Sequence, residues 1–233
     1  MFIIIIFAQA EFYAAARKAG HHPATALCLV AGAVLLIAVF YRGEAAAALV
    51  LFLTLVACFG WYLSGGTHEK ALTNIAVSML GMVYIPLLGS FVGLLISRPD
   101  GAGVTLVALG SAAIYDVYAY AAGSSWGKTP LAPSISPKKT REGAAVATVG
   151  IIVTAVIVAP LLGPWSHVQA LLVGVFAAIF SPLGDLAESM LKRDLGIKDS
   201  GTIIPGHGGA LDRIDAILFT APAIYLSLRI FGL

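Results

Sequence analysis

The stretch ATALCLVAGAVLLIAVFYRGEAAAALVLFLTLVACFGWYL, residues 24–63, carries two formal charges, Arg42 and Glu44, and both fall between apolar runs. Those runs, 24–41 and 45–63, each come near the roughly 20 residues of helix that cross a hydrocarbon core about 30 Å thick. The pattern recurs at 71–97, 102–122, 143–162, 166–187 and 210–232. An all-α, polytopic integral membrane protein with about seven transmembrane helices is therefore expected. Gly and Pro inside several runs do not oppose this, because membrane helices tolerate both. Residues 1–16, MFIIIIFAQAEFYAAA, form a further, short hydrophobic helix that carries Glu11 and lacks the basic start of a signal peptide. It reads as a partial or interfacial helix.

Composition agrees. The 233 residues are 59% hydrophobic and 11% charged, and mean hydropathy is +0.94. Soluble domains carry about 25% charged residues, so too few polar side chains are present to cover a water-exposed globule. A soluble enzyme, a secreted disulfide scaffold and a disordered chain are excluded. A net charge of +2, with no basic run interleaved with aromatics, gives no sign of a nucleic-acid partner. Cys28 and Cys58 sit inside apolar runs and read as small hydrophobes. His21, His22 and His68 have no partner pattern, while Trp61, Trp126 and Trp165 lie near span ends as interfacial anchors.

Alternating the spans places Arg17, Lys18, Lys70, Lys128, Lys138, Lys139, Arg141, Lys192, Arg193, Lys198 and Arg213 on one side of the membrane. Arg42, Arg98 and Arg229 fall on the other. Cytoplasmic loops are enriched in Lys and Arg, so the first side should face the cytoplasm and the C-terminus the outside. Most of the scarce charge then gathers in two cytoplasmic segments, Asp116–Glu142 and Asp185–Asp215. The second holds six of the twelve acidic residues.

In that second segment Asp185 and Glu188 stand three apart, with Lys192 four further on, so all three share a helix face. Asp185 lies in apolar sequence, where a carboxylate is costly unless paired, hydrated or metal-bound. Asp212 and Asp215 repeat the spacing at the start of the last span. Carboxylates at two helix ends near one membrane interface suit a hard cation such as Mg²⁺. Between them, Pro205-Gly206-His207-Gly208-Gly209 cannot be regular helix, and its glycines let backbone amides approach an anion. Lys192, Arg193, Lys198 and Arg213 surround it. In the first segment Pro130, Pro133 and Pro137 make a non-helical loop bearing Lys138, Lys139 and Arg141, with Ser136 and Thr140 able to bond phosphate oxygens. Asp116 lies at the cytoplasmic end of its span, where Tyr115, Tyr118 and Tyr120 read as an interfacial belt. Together these features describe a site for a nucleotide or pyrophosphate.

Plainer readings stand beside these. Lys138, Lys139 and Arg141 can act as topology-setting charges against lipid headgroups. Glu188 with Lys192 can be a simple helix pair, His207 a turn cap, and Asp116 a structural partner of a lysine. Intramembrane carboxylates also mark ion paths in transporters, but those spread through the midplane, whereas these cluster at one face.

The residues Ser189, Leu191, Lys192, Arg193, Lys198, Asp199, Pro205, His207, Gly208, Gly209, Asp212, Arg213, Ile214 and Asp215 resemble the signature of the phosphatidate cytidylyltransferase family. Asp116, Ala119-Tyr120, Gly127-Lys128, Leu131-Ala132-Pro133, Ser136-Pro137, Lys139-Thr140 and Glu142-Gly143 are similar, more loosely, to its second conserved stretch. Ala210, Val117, Tyr118 and Arg141 depart from the usual residues. The resemblance implies a multi-pass enzyme, catalytic in its 101–233 region behind N-terminal transmembrane helices in 1–100. It would condense CTP with phosphatidic acid to CDP-diacylglycerol and pyrophosphate. Typical members carry more hydrophobic sequence before the FAQAEFYAAA stretch, so a short member, or one lacking a first helix, is expected. The family's metal centre implies Asp185 and Asp212 as Mg²⁺ ligands, with Glu188 and Asp215 as further ligands or supports, and leaves room for a second cation. Lys192, Lys198, Arg193 and Arg213 would hold phosphates, while His207, Gly208 and Gly209 shape the anion loop. Ser136, Lys138, Lys139 and Thr140 would close over a phosphate, beside Asp116. Membrane lipids are expected partners, and the resemblance suggests a homodimer. An enzyme acting on an isoprenoid or ether-lipid phosphate would share the same phosphate site. A CDP-alcohol phosphotransferase is set aside because its D-G-x2-A-R element is missing.

Overall fold

The computed structural model describes residues 1–65, 70–162, 165–201 and 208–231. They pack as two compact units, Met1–Leu94 with Lys192–Ile214, and Leu95–Leu191 with Asp215–Leu233. Chain order and packing thus divide the molecule differently, since the segment after Lys192 joins the N-terminal helices.

The first unit begins with α1 (Phe2–Lys18), α2 (Thr25–Arg42) and α3 (Ala45–Ser64). Next comes α4 (Ala71–Met82), which passes through a π turn, Val83–Leu87, into α5 (Leu88–Ile96). Pro86 sits in that turn. It has no N–H to donate, and a wider turn absorbs the missing hydrogen bond without ending the helix. Polar side chains tie α1 to its neighbours. Gln9 Nε2 donates to the Cys28 carbonyl at 3.0 Å, and the Tyr13 hydroxyl donates to the Ser78 carbonyl at 2.6 Å. Gly81 is needed there, because a Cβ on it would stand 2.5 Å from the Tyr13 ring. Cys28 and Cys58 are free and buried, as their apolar setting predicts.

The second unit contains α6 (Gly101–Trp126), a hairpin of β1 (Pro130–Ala132) and β2 (Ser136–Thr140), α7 (Arg141–Leu162), α8 (His167–Asp194) and α9 (Asp215–Ile230). The last turn of α8, from Lys192, belongs to the first unit. Tyr115 of α6, Ala147 and Ile151 of α7, and Ala177 and Ala178 of α8 form its buried cluster. Tyr115 is therefore a core residue and not part of an interfacial belt. Tyr118 bonds Thr154 at 2.9 Å, while Tyr120 is exposed. Small residues let these helices approach; a Cβ on Gly174 would meet the Ile152 backbone at 2.9 Å. The proline-rich loop is also more ordered than expected. β1 and β2 pair antiparallel, Pro130 opposite Thr140 and Ala132 opposite Ser136. Three prolines within eight residues disfavour helix but are compatible with short edge strands.

Among the described residues, six helices are long and apolar enough to span a bilayer: α2, α3, α4 through α5, α6, α7 and α8. In α3 and α7 the most apolar windows have mean hydropathies of 2.2 and 2.5, yet only 22% of each is buried by protein. Such faces need lipid against them, so this is a helical, multi-pass membrane protein. The run expected at 210–232 resolves into a 3₁₀ turn, Leu211–Arg213, followed by the 16-residue α9. At 1.5 Å per residue α9 is about 24 Å long, short of a full crossing. Trp61 and Trp126 are exposed as anchors require, whereas Trp165 is buried.

Candidate functional site

In the first unit, α8 ends where Gly196 adopts a left-handed φ of +67°. Its amide donates to the Arg193 carbonyl at 3.1 Å and the Ile197 amide to the Lys192 carbonyl at 2.9 Å. These two bonds close a Schellman turn and send the chain back toward the last turn of the helix. Lys192 Nζ then reaches Asp212 Oδ1 at 2.6 Å. Asp212 Oδ2 accepts the Gly209 amide at 2.7 Å and the Ser200 amide at 3.2 Å. Gly208 has φ +79°, and a Cβ on it would stand 3.0 Å from Asp212 Oδ2. Glycine is therefore required where the loop folds over this carboxylate. Arg193, Lys198 and Arg213 are exposed. Pro205, Gly206 and His207 lie outside the described residues.

Sequence reasoning gave no role to Glu11, which the structure places in this cluster. Its Oε2 accepts the Leu211 amide at 3.1 Å. Burial pushes its carboxyl above the ordinary glutamate value; the Leu211 and Ala210 amides oppose that push, and the Asp212 charge adds to it. The available signal was a carboxylate inside an apolar run, which is costly unless it has a task.

In the second unit, α6, the hairpin and α8 enclose a cavity of about 410 Å³. Tyr115, Asp116 and Tyr120 line one wall, Ser136, Lys138, Lys139 and Thr140 another, and Asp185 a third. Lys139 forms an ion pair with Asp185, and the Ser189 hydroxyl reaches Asp185 Oδ1 at 3.4 Å. Thr140 has a second task, since its hydroxyl accepts the Gly143 amide at 3.2 Å and caps the start of α7. Glu142, another residue assigned no contact from sequence, accepts the Lys128 and Thr129 amides at 3.2 and 3.1 Å and clasps the base of the hairpin.

Asp215 lies within charge-interaction range of Asp185, Glu188 and Asp116. Close approach of α9 to α8 makes this possible, because a Cβ on Gly184 would sit 2.5 Å from the Asp215 carbonyl oxygen. Glu188 is only 1% exposed. Four hard oxygen donors in one neighbourhood fit the donor chemistry of Mg²⁺. Among the described residues, however, no three acidic, histidine or cysteine side chains come together closely enough to hold a metal ion. Asp185 and Asp212 are instead each neutralised by a lysine of their own unit. A carboxylate in that position attracts a cation, and here an ammonium supplies it.

Loop cations, backbone amides, lysine-paired carboxylates and a cavity of ligand size are the polar chemistry this multi-pass membrane protein carries. Residues 1–231 match the Cytidylyltransferase family, and the chain belongs to that family. It is 33% identical to a phosphatidate cytidylyltransferase of Synechocystis, over 96% of this chain and 85% of that protein. To one of Mycobacterium bovis it is 41% identical over 68% of this chain and 52% of the relative. A chloroplastic phosphatidate cytidylyltransferase of Arabidopsis thaliana is 48% identical over 50% of this chain and 29% of its own length. The chain thus spans about half the length of the mycobacterial relatives it matches. The resemblance drawn from the Lys192–Asp215 motif is borne out at the level of the family.

Proposed function

We propose that this protein is a CTP:phosphatidate cytidylyltransferase, making CDP-diacylglycerol and pyrophosphate at the cytoplasmic face of the cell membrane. The observation that carries the reading is the Lys192–Asp212 pair, held by the Gly209 and Ser200 amides within the motif shared with the family. A phosphate oxygen of phosphatidic acid attacks the α-phosphorus of CTP. A new P–O bond forms, the bond from that phosphorus to the β-phosphate bridging oxygen breaks, and pyrophosphate leaves with the electron pair. The nucleophile is already anionic, so positioning and charge stabilisation do the work.

Lys139, Lys138 and Ser136 hold phosphate in the second-unit cavity, beside Asp116 and Thr140. Lys192, Lys198, Arg193 and Arg213 act on phosphate in the first unit, and Gly208 and Gly209 shape the loop that folds over Asp212; His207, outside the described residues, is assigned to the same loop. Asp185, Glu188 and Asp215 of the second unit, and Asp212 of the first, are the carboxylates proposed to take Mg²⁺, which would supply Lewis-acid neutralisation of phosphate oxygens when bound. The unequal division of Lys and Arg supports the cytoplasmic orientation, with α9 as a seventh span where the bilayer thins to match its shorter length.

Purified protein in lipid nanodiscs, given CTP, Mg²⁺ and phosphatidic acid, is expected to release pyrophosphate and form CDP-lipid in equal amounts. Release only with an isoprenoid or ether-lipid phosphate would redirect the substrate assignment. No release with any lipid phosphate would refute a cytidylyltransferase.

A further inference from the structure

Glu11 sits on α1, nearly two hundred residues from the motif in sequence, yet its Oε2 accepts the Leu211 amide at 3.1 Å across a separation of 200 residues. The Ala210 amide also donates toward this carboxylate. Two glycines are shaped around it. A Cβ on Gly201 would stand 2.0 Å from Glu11 Oε1, and the next nearest atoms are also Glu11's own. A Cβ on Gly209 would stand 2.5 Å from Oε2. Gly201 follows Ser200 and Gly209 supplies an amide directly, and the Ser200 and Gly209 amides are the two that hold Asp212 Oδ2. Oε1 is buried with no hydrogen-bond partner among the described residues. Its cost is offset only by what the other oxygen and the tight fit achieve.

We propose that Glu11 is a positioning residue for Asp212, bracing from α1 the backbone turns whose amides hold the Asp212 carboxylate. The inference rests on the reading of Asp212 as a working carboxylate. Both strands of the Asp212 cradle, at Ser200-Gly201 and Gly208–Leu211, press on one side chain. Removing that side chain frees both at once. Gly201→Ala acts from the opposite direction, since its methyl must displace the flexible Glu11 carboxylate and so breaks the same support.

The test uses full-length wild type, Glu11→Ala, Glu11→Gln, Gly201→Ala and the Glu11→Ala/Gly201→Ala double variant in nanodiscs. Hydrogen exchange of the Mg²⁺-free protein is read on the peptide spanning 208–214, and CDP-lipid formation is read against Mg²⁺ and phosphatidate concentration. In Glu11→Ala and in Gly201→Ala the 208–214 amides are expected to lose about tenfold protection, the equivalent of one hydrogen bond. The Mg²⁺ concentration for half-maximal rate should rise about tenfold, as for loss of a support behind a ligand. KM for phosphatidate should stay within about twofold, because neither Glu11 nor Gly201 is among the residues proposed to hold phosphate. Glu11→Gln retains a carbonyl acceptor for Leu211 and should lie closer to wild type than Glu11→Ala. The double variant should be no worse than the worse single one, because both remove the same support.

Unchanged 208–214 protection in both Glu11→Ala and Gly201→Ala overturns the proposal. So does a loss of stability with an unchanged Mg²⁺ requirement. Should Glu11→Ala lose protection throughout α2 and α4, Gly201→Ala and Glu11→Gln decide the matter by the same two readouts. An inactive wild type refutes the cytidylyltransferase reading while the exchange measurement still decides whether Glu11 holds the turn.

Discussion

Replacing Asp212 by Asn removes one negative charge and preserves the side-chain shape. In the native protein Oδ1 faces the Lys192 ammonium at 2.6 Å, and Oδ2 faces the Gly209 and Ser200 amides at 2.7 and 3.2 Å. These three groups facing the carboxylate are all donors. Asparagine must turn its NH₂ toward one set or the other, so either the ammonium or the two amides meet a donor instead of an acceptor. The side chains of Lys192 and Asp212 are 17% and 16% exposed, so water replaces the lost contact poorly. A hydrogen bond to a charged group is worth about 1.5–3 kcal/mol, and that is the expected loss of stability. The fold survives, because the contacts of α1 with α2 and α4, such as Gln9 with Cys28 and Tyr13 with Ser78, do not involve this carboxylate. Activity should fall much further, by about 10²–10³-fold or more, as when a preorganised charge at the reacting phosphate is removed. The assay is CTP-dependent CDP-lipid formation, run beside a thermal melt in the same nanodiscs. A cooperative melt with turnover near that of the native protein would refute the reasoning about Asp212.

Lys139→Met deletes the ammonium paired with Asp185, whose side chains are 29% and 23% exposed. Stability should change by no more than about 1 kcal/mol, while the apparent KM for substrate phosphate should rise about tenfold; an unchanged KM would remove Lys139 from the phosphate site. Gly184→Ala alters no charged group but drives a methyl to 2.5 Å from the Asp215 carbonyl oxygen. It should cost about 1–3 kcal/mol of overpacking strain and lower kcat about tenfold or more by separating Asp185 from Asp215. Native activity in that variant would show that their approach is dispensable. For orientation, Cys28 and Cys58 are buried and can be replaced by Ala. In that background Ser125→Cys should react with an impermeant maleimide only from the cytoplasmic side and Tyr41→Cys only from outside. Reversed labelling would invert the topology.

Helices and membrane setting were legible from residues alone, because a bilayer imposes its constraint on each span independently: enough consecutive apolar residues and no unsatisfied backbone. The same holds for the Lys192–Asp215 motif, whose fixed spacing survives without any knowledge of packing. Local chemistry also announced the non-helical loops through Pro133 and Gly208. It did not announce that Pro130–Thr140 forms a hairpin clasped by Glu142, since strand pairing depends on a partner several residues away.

Pairing across distance is what only the tertiary structure decided. Tyr115 read as part of an aromatic belt and proved to be core, because burial depends on where Ile151 and Ala177 arrive. Lys139 and Asp185 were each visible as charges, but nothing in their separation of 46 positions declares them a pair. Glu11 is the clearest case. In sequence it is one acid in a run of isoleucine, phenylalanine and alanine. Its meaning comes from the Leu211 amide and the absent side chains of Gly201 and Gly209. Composition and spacing report the energy a residue costs in its own segment, whereas what offsets that cost lies on another segment and is chosen by the fold.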